Sequence, residues 1–311
     1  MGGSGGGFLP SSLNPDAIKD KLKQSISGTK NAEYETNVSS FLNDQLIQYN
    51  DRDVKGIQAK LDSIKTALEK DIDGTLNTIF GGSVQKHTYV DGISDVDSLV
   101  ILNNSELAGK NPEQVKDYFL KVLNDKLKDI KNIQKGDLAV TIEFKDAAII
   151  QLLPAVKTTD GVKIQSAKAN RWSEINPKGF ADKLSKVNQT LEGKLVPTIK
   201  LIKGISAQFP EKRQITGYHI ESIAIEVFKA YTGERTTKAM LEHFFEQAKS
   251  TVLTPIKDKT GQSIRVDDYL GSQNSEERKG ISYQLDLISR KIKNANNVAS
   301  IDLWKDALGE I

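Results

Sequence analysis

Two aspartates one residue apart, Asp95 and Asp97, stand at the entry to the apolar run Ser98-Leu99-Val100-Ile101-Leu102. Side chains alternate across an extended chain, so both carboxylates fall on one face, where together they can hold one or two hard divalent cations. Eleven residues separate them from Gly81-Gly82-Ser83. Gly82 has no Cβ to keep a phosphate away from the backbone, and Ser83 adds a hydroxyl donor. Carboxylate-held metal beside such a cradle suits phosphoryl transfer, in which the metal activates a hydroxyl and offsets charge on departing phosphates. Either piece alone is an ordinary turn or a solvated strand start; it is their order and spacing that carries the reading.

The elements that must position these residues are legible as periodicities. From about Asp53 to Ile79, apolar residues at Ile57, Leu61, Ile64, Leu68, Ile72, Leu76 and Ile79 recur at three- and four-residue spacing and predict one long amphipathic helix, ended by Gly81-Gly82. The run Ser98–Leu102 then reads as a buried strand. A helix follows near Pro112 to Lys128, and further strands are expected over Leu138–Phe144 and Ala148–Leu153, with Lys145-Asp146 turning a hairpin between them. From about Asn176 the pattern is helical, over Gly179–Leu191, Leu195–Gln208, Tyr218–Tyr231, Thr237–Ser250 and Glu276–Asn294. The fold class expected is α+β, a mixed α/β lobe followed by a helical lobe, with a ligand cleft between them. The division runs as a disordered or appended Gly- and Ser-rich segment over 1–12, a core with N-terminal helices over 13–165, and a helical C-terminal lobe over 166–311.

Composition narrows the chemistry. With no cysteine, disulfides, thiol nucleophiles and thiolate zinc sites are excluded, and three scattered histidines, His87, His219 and His243, make a poor imidazole cage. A metal must therefore be held by oxygen, which points to magnesium or manganese. Forty-three Lys and Arg against 41 Asp and Glu leave a net charge of +2, and aromatics are 6%, so no extended duplex nucleic-acid site is expected. The sequence carries no apolar stretch that spans a bilayer; no membrane insertion and a cytoplasmic location are the expectation.

Gly82-Ser83 with Lys86, then Thr88, Gly92, Ser94, Asp95 and Asp97, resemble the signature of the nucleotidyltransferases that make cyclic oligonucleotides in bacterial anti-phage systems. These are relatives of the animal cyclic GMP-AMP synthase and the oligoadenylate synthases, in the polymerase-β superfamily. The resemblance extends through Leu153-Pro154-Ala155, Trp172 with Asn176-Pro177-Lys178, Leu195-Val196-Pro197 with Lys200 and Lys203, and Tyr218-His219-Ile220-Glu221-Ser222. It continues through Pro255-Ile256 with Asp258, Val266-Asp267-Asp268-Tyr269-Leu270, Trp304 and Gly309, and so spans nearly the whole chain after about residue 50.

That resemblance implies a polymerase-β-like lobe with a long N-terminal spine helix and a C-terminal helical lobe. It implies a metal-dependent, template-independent enzyme that builds a cyclic or linear oligonucleotide signal from nucleoside triphosphates, releases pyrophosphate, and works with an operon-encoded effector. Asp95 and Asp97 are then the catalytic metal ligands, Gly82, Ser83 and Lys203 meet the donor triphosphate, and Tyr218 stacks on the donor base. Trp172 is assigned to packing and Glu221 to a structural or metal-supporting role. At the position of the family's third acid, just before Leu-Pro-Ala, this chain has Gln151. An amide ligates through its carbonyl oxygen but brings no charge; Glu143 on the neighbouring strand could substitute if it shares that face. Two alternatives follow from Gln151 and from the open identity of the acceptor: an impaired nucleotide-sensing module, and a protein-nucleotidylating or protein-primed enzyme.

Overall fold

Alternating and helical apolar patterns resolve, in the computed structural model, into one twisted sheet and two groups of helices. It describes residues 15–50, 53–70, 72–80, 86–90, 96–159, 161–166, 169–257 and 266–309. The expected 1–12 segment, Gly82, Ser83, Gly92, Ser94, Asp95 and Asp258 lie outside the described residues.

The chain opens with α1 (Pro15–Asn50) and α2 (Val54–Glu69), followed by β1 (Gly74–Phe80) and β2 (Val96–Ser105). Next come α3 (Pro112–Lys126), β3 (Ile130–Lys135), β4 (Val140–Phe144), β5 (Ile149–Lys157), β6 (Val162–Ser166) and β7 (Ala169–Ile175). The rest is helical: α4 (Pro177–Thr190), α5 (Leu195–Ala207), α6 (Gly217–Phe228), α7 (Thr237–Thr251), α8 (Glu276–Asn297) and α9 (Ile301–Leu308). The α+β class and the long N-terminal helix stand, α1 running 36 residues or about 54 Å at 1.5 Å per residue.

The expected helix over 53–79 does not hold throughout. Ile57, Leu61, Ile64 and Leu68 do lie on α2, but Leu76 and Ile79 belong to β1. The pattern misleads because residues four apart share a face in a helix and in a strand alike. The break is fixed by Gly74, whose φ of +113° and close approach to the Asn104 carbonyl leave no room for a Cβ. The Gly-Ser motif thus follows a strand rather than a helix.

In the sheet the strand order is β1-β2-β5-β4-β3; β2 and β5 are parallel, the other pairs antiparallel, and β6 joins β5 to β7. On one face Val100, Leu102, Ile150 and Leu152 pack with Leu61 and Ile64 of α2 and Phe119 of α3 into a single core. The opposite face carries a small apolar cluster of Leu99, Ile101, Ala155 and Val162, and alternation places Asp97 and Gln151 in line with it. Lys145-Asp146 does turn the β4–β5 hairpin, with Ala147 at φ +67°.

The second core is helical. Phe180, Ile202, Ile223, Phe244 and Leu285 are buried there, and α1 contributes Tyr34, Val38, Leu42 and Tyr49 to it. Close contact of α1 with α5 depends on Gly204, where a Cβ would meet the Tyr49 hydroxyl at 2.0 Å. At the end of the chain Trp304 is fully buried, and its Nε1 donates to the Tyr34 hydroxyl at 2.9 Å and to Asn296 Oδ1 at 3.1 Å. Among the described residues no helix is long and apolar enough to cross a membrane.

His219 on α6 is also fully buried. Its Nδ1 lies 2.9 Å from the Tyr269 hydroxyl, while Nε2 makes no hydrogen bond and sits 3.5 Å from Asp267 Oδ2. That carboxylate is already engaged by Arg278 Nη1 at 2.6 Å and by the Ile256 amide. Burial pushes the imidazole down to about 4, against the pull of Asp267 and with the help of Arg278.

Two outcomes are expected. Trp304→Ala removes the largest buried side chain and both indole hydrogen bonds, and should lower stability by about 3–5 kcal/mol; Trp304→Phe should cost less. An unmoved urea midpoint for the alanine variant would show that α9 does not hold the helical core together. As pH falls from 6.5 toward 4, the unfolded chain protonates His219 while the folded chain does not, so stability drops over that window, by up to about 3 kcal/mol. Melting curves of the parent and of His219→Gln across the window should diverge, the variant having the flatter profile; parallel profiles would remove His219 as the cause.

Candidate active site

Residue pairing between β2 and β5 sets Asp97 directly opposite Gln151, and pairing between β5 and β4 sets Gln151 opposite Thr141. Strand neighbours share a face, so the three side chains stand in a row across the sheet, about 4.8 Å from one strand to the next. Thus Gln151, where the resemblance implies a third acid, is the immediate neighbour of Asp97. Glu143 lies two residues along β4 from Thr141 and therefore on the same face, but it pairs with Ile149 rather than Gln151. Its carboxylate also accepts from Lys131 Nζ at 2.6 Å.

Lys203 on α5 is not a solvated surface lysine; it is 5% exposed. Its ammonium donates to the Thr88 carbonyl at 3.0 Å, to Thr88 Oγ1 at 3.2 Å and to Glu221 Oε1 at 2.9 Å. Room for it is left by Gly217, where a Cβ would stand 3.3 Å from the lysine Cε and Nζ. Burial draws Lys203 below the usual lysine range, opposed by Glu221, helped by the charge of Lys86 and opposed least by that of Asp97.

Glu221 is fully buried on α6 between core residues Ile220 and Ile223. Lys86 Nζ donates to its Oε2, and the Thr88 hydroxyl and Lys203 to its Oε1. Burial pushes this carboxyl upward, but Lys203 and Lys86, with the hydrogen bonds from Lys86 and Thr88, outweigh it and hold the pKa below the ordinary value. The Lys86 ammonium also lies 4.9 Å from the Phe180 ring centre and 5.3 Å from that of Tyr218, and those two rings are 4.5 Å apart at 46°. Tyr218 is therefore half-buried against Phe180, with a cation beside it.

Segment 86–90 joins the two cores. Tyr89 is buried with the sheet and its helices, Val90 with the helical core, and Thr88, just before them, makes the polar contacts just described. The structure thus brings Asp97, Gln151, Lys203 and Tyr218 to one region, and adds Lys86, Thr88, Phe180 and Glu221. The signal for this cluster lies in the sequence: Lys203 and Glu221 each stand among apolar residues, within the helices LVPTIKLIKGISA and GYHIESIAIEVF. Buried charge in such helices calls for a partner elsewhere.

Asp97 and Gln151 offer only oxygen, the donor type that magnesium and manganese take, and so fit a hard divalent cation. Among the described residues no group of three His, Cys, Asp or Glu could hold a metal. Asp95, the other carboxylate expected at this position, lies outside them.

No curated protein sequence matches this chain. Among solved structures, CdnC of E. coli MS115-1, determined with ATP, is similar at a TM-score of 0.65 and 17% identity, over 88% of this chain and 97% of that one. CdnG of Bradyrhizobium diazoefficiens, in complex with GTP, is similar at 0.65 and 13%, over 87% and 95%. E. coli DncV in its 3'-deoxy GTP bound form reaches 0.66 at 11% identity, over 96% and 95%. These likenesses are of fold. The family model of the Second Messenger Oligonucleotide or Dinucleotide Synthetase domain matches residues 33–188, half of the 311-residue chain, which takes in β1 to β7 and the row of Asp97, Gln151 and Thr141. The chain belongs to that family and is a nucleotidyltransferase.

Proposed function

We propose that this nucleotidyltransferase makes a short oligonucleotide signal from nucleoside triphosphates in the cytoplasm, and that an effector encoded beside it in an anti-phage operon reads the product. The observation that carries the reading is the placement of Asp97 beside Gln151 on the face of the sheet opposite its helix-covered core. Binding of ATP and GTP by the similar CdnC and CdnG structures supports nucleoside triphosphates as substrates.

In this reading Asp95 and Asp97 hold magnesium or manganese, with the Gln151 carbonyl oxygen as a neutral neighbour. The ion supplies positive charge at the α-phosphate and at the departing pyrophosphate. Gly82 and Ser83 cradle the triphosphate, Lys203 adds positive charge, and Tyr218 supports the donor base through its π-face. The acceptor hydroxyl oxygen bonds to the α-phosphorus, the α–β bridging P–O bond breaks, and pyrophosphate leaves. Gln151 is no base near neutral pH, so the hydroxyl proton passes to water.

Gln151 also favours a second reading, a module that binds triphosphate and turns it over poorly or not at all. Incubation with all four ribonucleoside triphosphates and either metal, followed by chromatography of products and a pyrophosphate assay, separates the two. The expected result is a new product, lost by about 10²–10³-fold in Asp97→Ala, as for removal of one preorganised electrostatic partner. Triphosphate binding with no pyrophosphate release under any condition would move the assignment to the second reading. Gln151→Asp should raise the rate at least about tenfold, one pKa-sized step of about 1.4 kcal/mol in the barrier; an unchanged or lower rate would show that the amide is not the defect. Intact mass after reaction tests the protein-acceptor alternatives, since a covalent nucleotide adds mass that survives denaturation.

A further inference from the structure

Lys86, Lys203 and Thr88 converge on one buried carboxylate. Lys86 takes Oε2 of Glu221, and Lys203 and Thr88 take Oε1, while Lys203 spends its other hydrogen bonds on Thr88. Lys86 and Thr88 follow the Gly-Ser motif in sequence, whereas Lys203 and Glu221 come from α5 and α6. The two ammonium groups and one carboxylate leave a surplus of one positive charge. With its donors committed, Lys203 is fixed in place. Lys86, lying over the Phe180 and Tyr218 rings, reaches from the carboxylate to the surface on which a donor base would stack.

We propose that Glu221 is the positioning residue of the donor site: its carboxylate gathers Lys86 and Lys203 into one cationic unit for the triphosphate and ties the segment after the Gly-Ser motif to the helical lobe. The inference rests on the nucleotide-binding reading above for its ligand. Glu221 itself needs no contact with substrate. Without its charge the two ammonium groups repel, and the positive surplus loses its fixed location.

The full chain, with Glu221→Gln, Lys86→Met and both together, tests this by titration with α,β-methylene ATP and GTP and with the corresponding nucleosides, alongside thermal unfolding. Glu221→Gln should weaken triphosphate binding by about tenfold or more, the loss expected for a charge-assisted contact, and leave nucleoside binding within about twofold, the allowance for unrelated effects. The double variant should recover part of the melting temperature lost in Glu221→Gln, because one unpaired cation has gone, yet triphosphate binding should stay weak. Affinity that returns together with stability would show Glu221 to be structural only, and a folded Glu221→Gln that binds triphosphate like the parent would overturn the proposal. If Glu221→Gln does not fold, Thr88→Val carries the test: it removes the hydroxyl shared by Glu221 and Lys203, and should weaken triphosphate but not nucleoside binding. The unfolding cycle needs no nucleotide. Additive effects of Lys86→Met and Glu221→Gln on stability overturn the shared carboxylate, whereas coupled effects in a parent that binds no triphosphate leave it standing and defeat the nucleotide reading alone.

Discussion

A carboxylate with no exposure to solvent, on a helix most of whose residues are buried, dictates much of the surrounding arrangement. Burying an ion in a protein interior costs several kcal/mol unless charge and hydrogen bonds offset it. Glu221 meets that demand with two lysines and a hydroxyl, and two of the three groups come from segment 86–90. Tyr89 and Val90 then have little freedom: one enters the sheet core and the other the helical core. The polar contact and the two apolar anchors are mutually dependent, because neither core could accept its residue if Thr88 were drawn elsewhere. Removing the carboxylate alone leaves two ammonium groups uncompensated in the interior, so the cluster is much more costly to break than to keep.

A second constraint comes from the parallel pairing of β2 with β5. Parallel neighbours cannot be joined by a tight turn, and here the connection takes in α3, β3 and β4 before the chain returns. That detour has a chemical consequence. It brings residue 151 beside residue 97, a pairing of positions 54 apart, and then carries the hairpin partner Thr141 to the far side. The apolar cluster of Leu99, Ile101 and Ala155 continues the same face away from Asp97, so the polar row ends where the buried packing begins. Shifting the register by one residue would put Asp97 into the helix-covered core and Leu99 with it, a change the alternation of the strand forbids.

How far the sequence foretold this depends on the kind of signal. Helices with strong stripes, such as Phe180 and Leu184 on α4 or Met240, Leu241 and Phe244 on α7, were legible to within a few residues because burial imposes the period directly. The segment 53–79 was misread at its C-terminal half, where four-residue spacing serves both periods and only the backbone demand at Gly74 separates them. β3 was missed because its burial pattern, with Ile130 and Ile133 three apart, is broken by a register shift between Ile130 and Asn132. The short α9 carries too little pattern to declare itself before its Trp304 is seen buried. At the site, the sequence order made Asp97 and Lys203 visible and put Gln151 on a strand. The adjacency of Gln151 to Asp97, and the meeting of Lys86 with Glu221, depend on pairings across 54 and 135 residues that no local pattern encodes.

Under the function proposed above, an amide rather than a carboxylate beside Asp97 acts in opposite directions on binding and on chemistry. A triphosphate approaching this face meets one less negative charge, while the cluster of Lys86, Lys203 and Glu221 still presents a surplus of one positive charge. Ground-state attraction for the donor is therefore kept or strengthened. The transition state is different, because activation of the acceptor hydroxyl would draw on a firmly held cation and on a nearby base, and a neutral amide strengthens neither. Only interactions stronger in the transition state than in the ground state accelerate a reaction. In the proposed reading the amide thus weighs on the rate of the chemical step far more than on substrate affinity, and leaves the orientation of the acceptor to Asp97 and to the fixed geometry that the two cores impose.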